Sequence, residues 1–341
     1  MVVGVATGPQ AMAADVLGGQ HGVLHARVPG DALGKIDGVR QSLKTDPSQA
    51  SRPDGQQRTP LDYAAATGQV EIAQFLIDHG APLFDAKRSA TDVPLHHAIR
   101  HDHPLMVKLL LDAGSSPDTV RSSLETDAKA NILRGSDAHP AVHMAIDTGN
   151  VEIVKLLLLH HSDLKVTNTY TQSPLHYAAL FGKAEIVTLL IKGGADVKAT
   201  TDAFYLPCGS GQENTPQLDT PLHFAAARGN PDTIKALLTG GADIDAPDVN
   251  GLTPLMSTIA PPIYTGIDRD WQLKNIEQLI ASGAKVNLEN KRGQTVLDLA
   301  RDDKGDDEKP PQAVIDLLLK HGAKPGHPKP EEKTAVDDEQ R

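Results

Sequence analysis

The sequence predicts an all-α solenoid: about seven stacked helix–turn–helix units with projecting loops that carry β-like turns. Three observations predict it. A phrase returns along the chain, fullest at Thr220-Pro221-Leu222-His223-Phe224-Ala225-Ala226. The copies keep time: Pro60 to Pro94 and Pro140 to Pro174 are 34 positions apart, and Pro221 to Pro254 is 33. Each copy is followed by an apolar run closing on Gly or a near substitute, as in Ile186-Val187-Thr188-Leu189-Leu190-Ile191 and then Gly194-Ala195-Asp196. Self-similarity at such a period marks an array in which no unit buries its apolar face alone.

Residues 1–22 are Gly- and Ala-rich with no Lys or Arg. Ala11-Met12-Ala13 has the small-x-small form of a secretory cleavage site, but the stretch before it is short and broken by Gly8-Pro9. This segment is either the remnant of an export signal or a flexible leader. Residues 23–57 read as a degenerate capping repeat, because Gly34 to Leu43 has the pattern of a second helix and Asp54-Gly55 that of a finger turn.

Residues 58–325 carry the repeats. In the unit around Thr220, the Thr hydroxyl caps a helix and Pro221 suits its first position, where no N–H is needed. Leu222, Ala225 and Ala226 then share one face, and the alanines let a neighbouring helix approach closely. Gly229 is expected to end this helix in a left-handed conformation. Ile234, Leu237 and Leu238 face inward from a second helix, and Gly240-Gly241 turns the chain outward. Two long intervals, Pro94 to Pro140 and Pro174 to Pro221, hold inserts. The first, about residues 120–134, is polar, with Arg121, Lys129 and Arg134; the second, about 198–218, contains Phe204 and Tyr205. Pro261 to Gly266 splits the sixth unit and leaves Trp271, expected to pack, near its second helix. Residues 326–341 form a charged tail expected to be disordered.

The Thr-Pro-Leu-His phrase, the Ile-Val-x-x-Leu-Leu run and the Gly-Ala-Asp-Val ending together resemble ankyrin repeats. The resemblance implies a scaffold role for Thr220, Pro221, His96, His143, His176 and His223, the histidines bonding backbone between neighbouring loops. It implies partner contacts from the loop before the phrase and the two positions after its alanines. Those positions hold Arg100 and His101, Asp147 and Thr148, Tyr170, Gln172, Leu180 and Phe181, and Ala227 and Arg228. Tyr170, Phe181, Phe204 and Tyr205 concentrate aromatic character around the fourth unit, in a chain that is only 3% aromatic. Either the insert buries its aromatics on Phe181, or they form an exposed anchor for a protein. Asp298 stands in the histidine position of the seventh unit, as expected where no following loop needs that bond.

Composition narrows the function. A net charge of -11 argues against a nucleic-acid partner, one cysteine excludes an internal disulfide framework, and no apolar run is long enough to span a membrane. No nucleophile elbow, phosphate loop or dinucleotide fingerprint is present, and Ser282-Gly283-Ala284-Lys285 matches a Ser-x-x-Lys motif by letters only. The expectation is a monomeric, non-catalytic module that binds another protein, with no cofactor and no metal. It is cytoplasmic by default, or exported if the leader is a signal remnant. The alternative is a small-molecule or metal binder using the inserts and the His97/His101 pair, four apart on one helix.

Overall fold

The computed structural model describes residues 32–84, 93–118, 140–168, 171–201, 218–260, 269–301 and 312–327. All its regular structure is helical; no strand occurs among the described residues. The chain divides into two compact units, residues 1–117 and 118–341.

The first unit contains α1 (Ala32–Thr45), the 3-10 turn η1 (Pro47–Ala50), α2 (Pro60–Ala66), α3 (Val70–Asp78), α4 (Pro94–Arg100) and α5 (Pro104–Asp112). Ile36, Val39 and Leu43 lie on one face of α1 at spacings of three and four, and all three are buried. α1 packs against α3. The Arg40 guanidinium lies 5.6 Å over the Phe75 ring of α3.

Among the described residues the second unit contains five helix pairs. They are α6 (Ala141–Thr148) with α7 (Val151–Leu159), α8 (Pro174–Leu180) with α9 (Ala184–Lys192), and α10 (Pro221–Ala227) with α11 (Pro231–Thr239). After them come α12 (Pro254–Ser257) with α13 (Arg269–Ala281), and α14 (Val296–Arg301) with α15 (Gln312–Lys320). First helices pack on first helices and second on second within each unit, which gives two layers. Ala178, Ala179, Ala225 and Ala226 have essentially no exposure, because their missing side chains set how closely α8 and α10 approach. Ile186, Leu190, Ile234 and Leu237 fill the space between layers. Trp271 is half-buried at the start of α13, with the Lys274 ammonium 4.6 Å above its ring.

The finger turns close on themselves. The N–H groups of Asp54, Asn168, Asp248 and Asn290 donate to the carbonyls of Arg58, Gln172, Leu252 and Gln294, four residues on. In each, the Asp or Asn carboxyl or amide oxygen also accepts from N–H groups of its own turn, an Asx geometry. At the fifth repeat Thr201 and Asp219 take the matching places. Thr201 N–H donates to Asp219 O at 3.0 Å, which pins the two ends of residues 202–217 together.

Rows of bonds join one finger to the next. Asp118, Asp245 and Asn287 accept from the N–H groups of Asp163, Lys285 and Lys324 at 2.7–3.0 Å. Lys165 and Lys198 occupy the equivalent places after α7 and α9 and have no oxygen to offer, so this row lapses on either side of the fourth repeat.

Several expectations need correction. Pro140 is not the first residue of its helix. It stands in the cap position ahead of Ala141, because His143 keeps register with His176 and His223. Gly229 is not left-handed; a β-carbon there would lie 2.8 Å from Ala179 O and from Ala225 Cα and O, so glycine is needed for lack of room. Asp298 does meet a following segment: its Oδ2 accepts from Gly326 N–H at 2.7 Å, while Thr295 Oγ1 donates to Lys324 O. Residues 322–327 thus lie along the last finger, and His327 reaches Glu289 at 2.7 Å. Gly326 and His327, placed at the start of a disordered tail, belong to this end cover; the remainder of that tail lies outside the described residues. So do the leader and the body of both inserts, with Phe204 and Tyr205.

Candidate functional site

The positions after each first helix define a strip at the helix ends. Most first helices open on a cap residue followed by Pro, and each is short, one to two turns. Its final residue and the next therefore stand where the chain swings into the second helix. Arg100 and His101 hold these places in the first unit, both exposed. Asp147 and Thr148, Leu180 and Phe181, and Ala227 and Arg228 hold them in the second.

Their presentation differs. Asp147, Thr148, Phe181 and Arg228 are exposed and Leu180 is half-buried, whereas Ala227 is fully buried under the α10 turn. Gln172 is also buried: its amide oxygen accepts from Asn168 Nδ2 at 3.0 Å, and its backbone carbonyl meets His143 Nε2 at 3.0 Å. Finger closure, not presentation, occupies Gln172. Tyr170, Phe204 and Tyr205 lie outside the described residues.

Phe181 is 48% exposed at the end of α8. Its ring packs edge-on against Tyr177, centroids 4.8 Å apart, and Tyr177 packs in turn on His143 at 5.3 Å. The Tyr177 hydroxyl donates to Asp147 Oδ1 at 2.6 Å. One contiguous group thus runs from the buried scaffold histidine to an exposed aromatic face and an exposed carboxylate.

The scaffold histidines bridge loops as the phrase implied, in three of four cases. Nε2 of His143, His176 and His223 meets the carbonyls of Gln172, Asp219 and Leu252, each at 3.0 Å. In His176 and His223, Nδ1 meets the cap hydroxyl and accepts the cap N–H of Ser173 and Thr220, so the neutral ring carries its proton on Nε2. His96 is the exception. It is buried, but both ring nitrogens lack a hydrogen-bond partner among the described residues, and Val93 in its cap position has no hydroxyl to give.

His97 and His101 do not form a shared ligand face, since His97 is buried and His101 exposed. His103 belongs to the scaffold, with Nε2 on Ala66 O at 3.1 Å. Among the described residues no group of three or more His, Cys, Asp or Glu side chains is placed to hold a metal ion. Partial burial and then the positive charge of His97, His103, Arg100 and Arg58 hold the His101 imidazole below its usual pKa. In the first unit's part of the strip the cation is therefore Arg100, beside an imidazole biased toward its neutral form.

Family models described as ankyrin repeats in three copies match residues 32–121 and 113–201, and a single ankyrin repeat model matches 217–249. The chain belongs to the ankyrin repeat family. Among curated ankyrin relatives, it is 35% identical over 83 residues to the 26S proteasome non-ATPase regulatory subunit 10 of Dictyostelium discoideum, 24% of this chain and 36% of that protein. It is 27% identical over 167 residues to human B-cell lymphoma 3 protein, covering 41% and 37%. It is 29% identical over 149 residues to the transient receptor potential channel pyrexia of Drosophila melanogaster, covering 43% and 14%. The chain therefore spans well under half of each relative. The ankyrin repeat domain of human ASB11 superposes with a TM-score of 0.56 at 24% identity, covering 79% of this chain and all of that one. That of Bcl-3 gives 0.55 at 24%, covering 78% and 99%. Ankyrin repeats generally mediate protein–protein interaction. No described helix is long and apolar enough to cross a membrane.

One ankyrin finger carries a group that sequence reading passed over. Asp219 is 5% exposed, and no described group donates a hydrogen bond to its carboxylate. Burial, and then the neighbouring Asp248 carboxylate, push its pKa up to about 7. The unfolded carboxylate ionises at about 3.9 and the folded one only at about 7, so stability is fully present below the lower value and is lost as pH rises to the higher. The gain in unfolding free energy from Asp219→Asn is therefore expected to grow by about 2 kcal/mol between pH 5 and pH 8. Urea unfolding at the two pH values reads this directly; equal effects at both would show that the carboxylate is already neutral or solvated.

Proposed function

We propose that the protein is a non-catalytic binding module that scaffolds or regulates a partner protein through the helix-end strip and the finger inserts. The observation that carries this reading is Phe181, a large apolar ring half in solvent at a position set by rigid repeats. Exposed aromatic anchors of this kind dominate interface energies. Asp147, Leu180 and Arg228 surround it along the strip of the second unit, and Arg100 and His101 present the strip of the first. Tyr170, Phe204 and Tyr205 extend the proposed surface in sequence.

Affinity capture from native lysate with the wild type and Phe181→Ala tests the reading. The partner retained by the wild type is expected to bind the variant with about 2 kcal/mol less free energy while the melting temperature stays within a few degrees. Equal retention by both, or a fall in melting temperature with binding intact, would turn Phe181 into a packing residue. The mixed charge of these positions, Arg100 and Arg228 with Asp147, further supports a protein partner over a small uniform ligand.

A further inference from the structure

The group Asp147–Tyr177–Phe181 has a specific chemistry. Phe181 is 48% exposed, and an aromatic ring in solvent attracts cations through its quadrupole. Asp147 offers a carboxylate, and among the described residues no Lys, Arg or His forms an ion pair with it. Tyr177 joins the two: its ring supports Phe181, and its hydroxyl occupies only Oδ1 of Asp147. That bond orients the carboxylate and leaves its second oxygen to accept. A flat cation lying on Phe181 with its edge toward Asp147 satisfies both features together.

We propose that Phe181, Tyr177 and Asp147 form a receptor for an arginine side chain in a basic segment of a protein partner. The proposal rests on the protein-binding reading and gives it a chemical class. Guanidinium is planar, stacks on aromatic rings, is weakly hydrated and forks onto carboxylates; ammonium is a compact, strongly hydrated point charge that gains less from the ring. The chain's net charge of -11 favours approach of a cationic segment. An apolar anchor seated on Phe181 would leave Asp147 without a role. An acidic anchor would meet it with repulsion.

Panning a random twelve-residue phage-displayed peptide library on the immobilised full chain tests this. The expected winners contain arginine. Synthetic versions should bind D147N and F181A about tenfold more weakly than wild type, and should lose a comparable factor when that arginine becomes lysine. The amide oxygen that D147N introduces can still accept from Tyr177, and circular dichroism checks that each variant folds. F181L separates ring from bulk: it should bind as poorly as F181A. E185Q removes an exposed charge on α9 and should change affinity less than twofold, as expected for a single screened surface charge. Winners without arginine, insensitivity to D147N, or full binding by F181L would overturn the receptor while leaving protein binding by the strip intact. Failure of both panning and lysate capture would overturn both.

Discussion

Acidification from pH 7 to pH 5 is expected to destabilise the protein through its buried histidines, by about 2 kcal/mol for each of His96, His176 and His223. Burial is the leading cause in all three, and holds each pKa down to about 4. In His176 and His223 Nδ1 accepts the cap N–H, so a second ring proton would oppose a donor. In His96 neither nitrogen has a partner among the described residues to share a charge. The unfolded chain binds protons near the ordinary histidine value of about 6.5, the folded chain only near 4. Stability is thus fully present above the unfolded value and falls as pH drops through that window. Asp219 acts in the opposite sense, gaining its proton in the folded state first, and offsets one histidine. The sharpest measurement is a difference: His223→Met, with the side chain that Met256 supplies at the same position one repeat later, should be less stable than wild type at pH 7. It should also lose about 2 kcal/mol less between pH 7 and pH 5 in urea unfolding. An unchanged difference would mean that His223 titrates normally in the folded state.

Gly229→Ala and Asn275→Ala are each expected to cost about 2–3 kcal/mol, and together less than their sum. They share one joint. Asn275, fully buried in α13, donates from Nδ2 to Gly229 O at 2.9 Å and Ala226 O at 3.1 Å. These carbonyls at the α10 exit have no other helix turn to bond. A β-carbon on Gly229 would strike backbone of α8 and of α10 itself, Ala179 O and Ala225 Cα and O, which cannot give way without moving the Gly229 carbonyl that Asn275 holds. Asn230 makes the matching reach to Gly182 O at 3.0 Å, and His103 to Ala66 O, so α5, α11 and α13 each grip the turn of the repeat before them. Gly241→Ala is the control: its φ is +95°, but nothing lies within 4 Å of a β-carbon, so only the conformational cost of about 1 kcal/mol remains. Thermal unfolding of the three single variants and the double variant decides the matter. A Gly229→Ala variant as stable as Gly241→Ala would show that the α8 and α10 backbone around Gly229 yields easily.

Much of this was legible in the residues. The phrase located every first helix to within a residue, except where Pro140 imitates the wrong position of its own motif. The same letters can be cap or first turn, and only register with His143 separates them. The gripping residues had no such signal. His103, Asn230 and Asn275 are chemically unlike, and each reads as an ordinary surface polar group until its neighbour's turn is placed against it. Gly229 looked like every other helix-ending glycine because sequence records the missing β-carbon, not the reason for it. For the proposed binding strip, position was legible and accessibility was not: Gln172 and Ala227 share the pattern of Asp147 and Phe181 but are buried.

Local chemistry within one repeat therefore determined the fold: capping, proline at the first turn, apolar spacing and glycine exits act over a few residues, and a single chain displays them in full. Contacts between repeats decided the rest. Which histidine lost its partners, why Asp219 holds a proton near neutrality, and how Tyr177 ties Phe181 to Asp147 depend on groups 29 or more positions apart that meet only when the units stack.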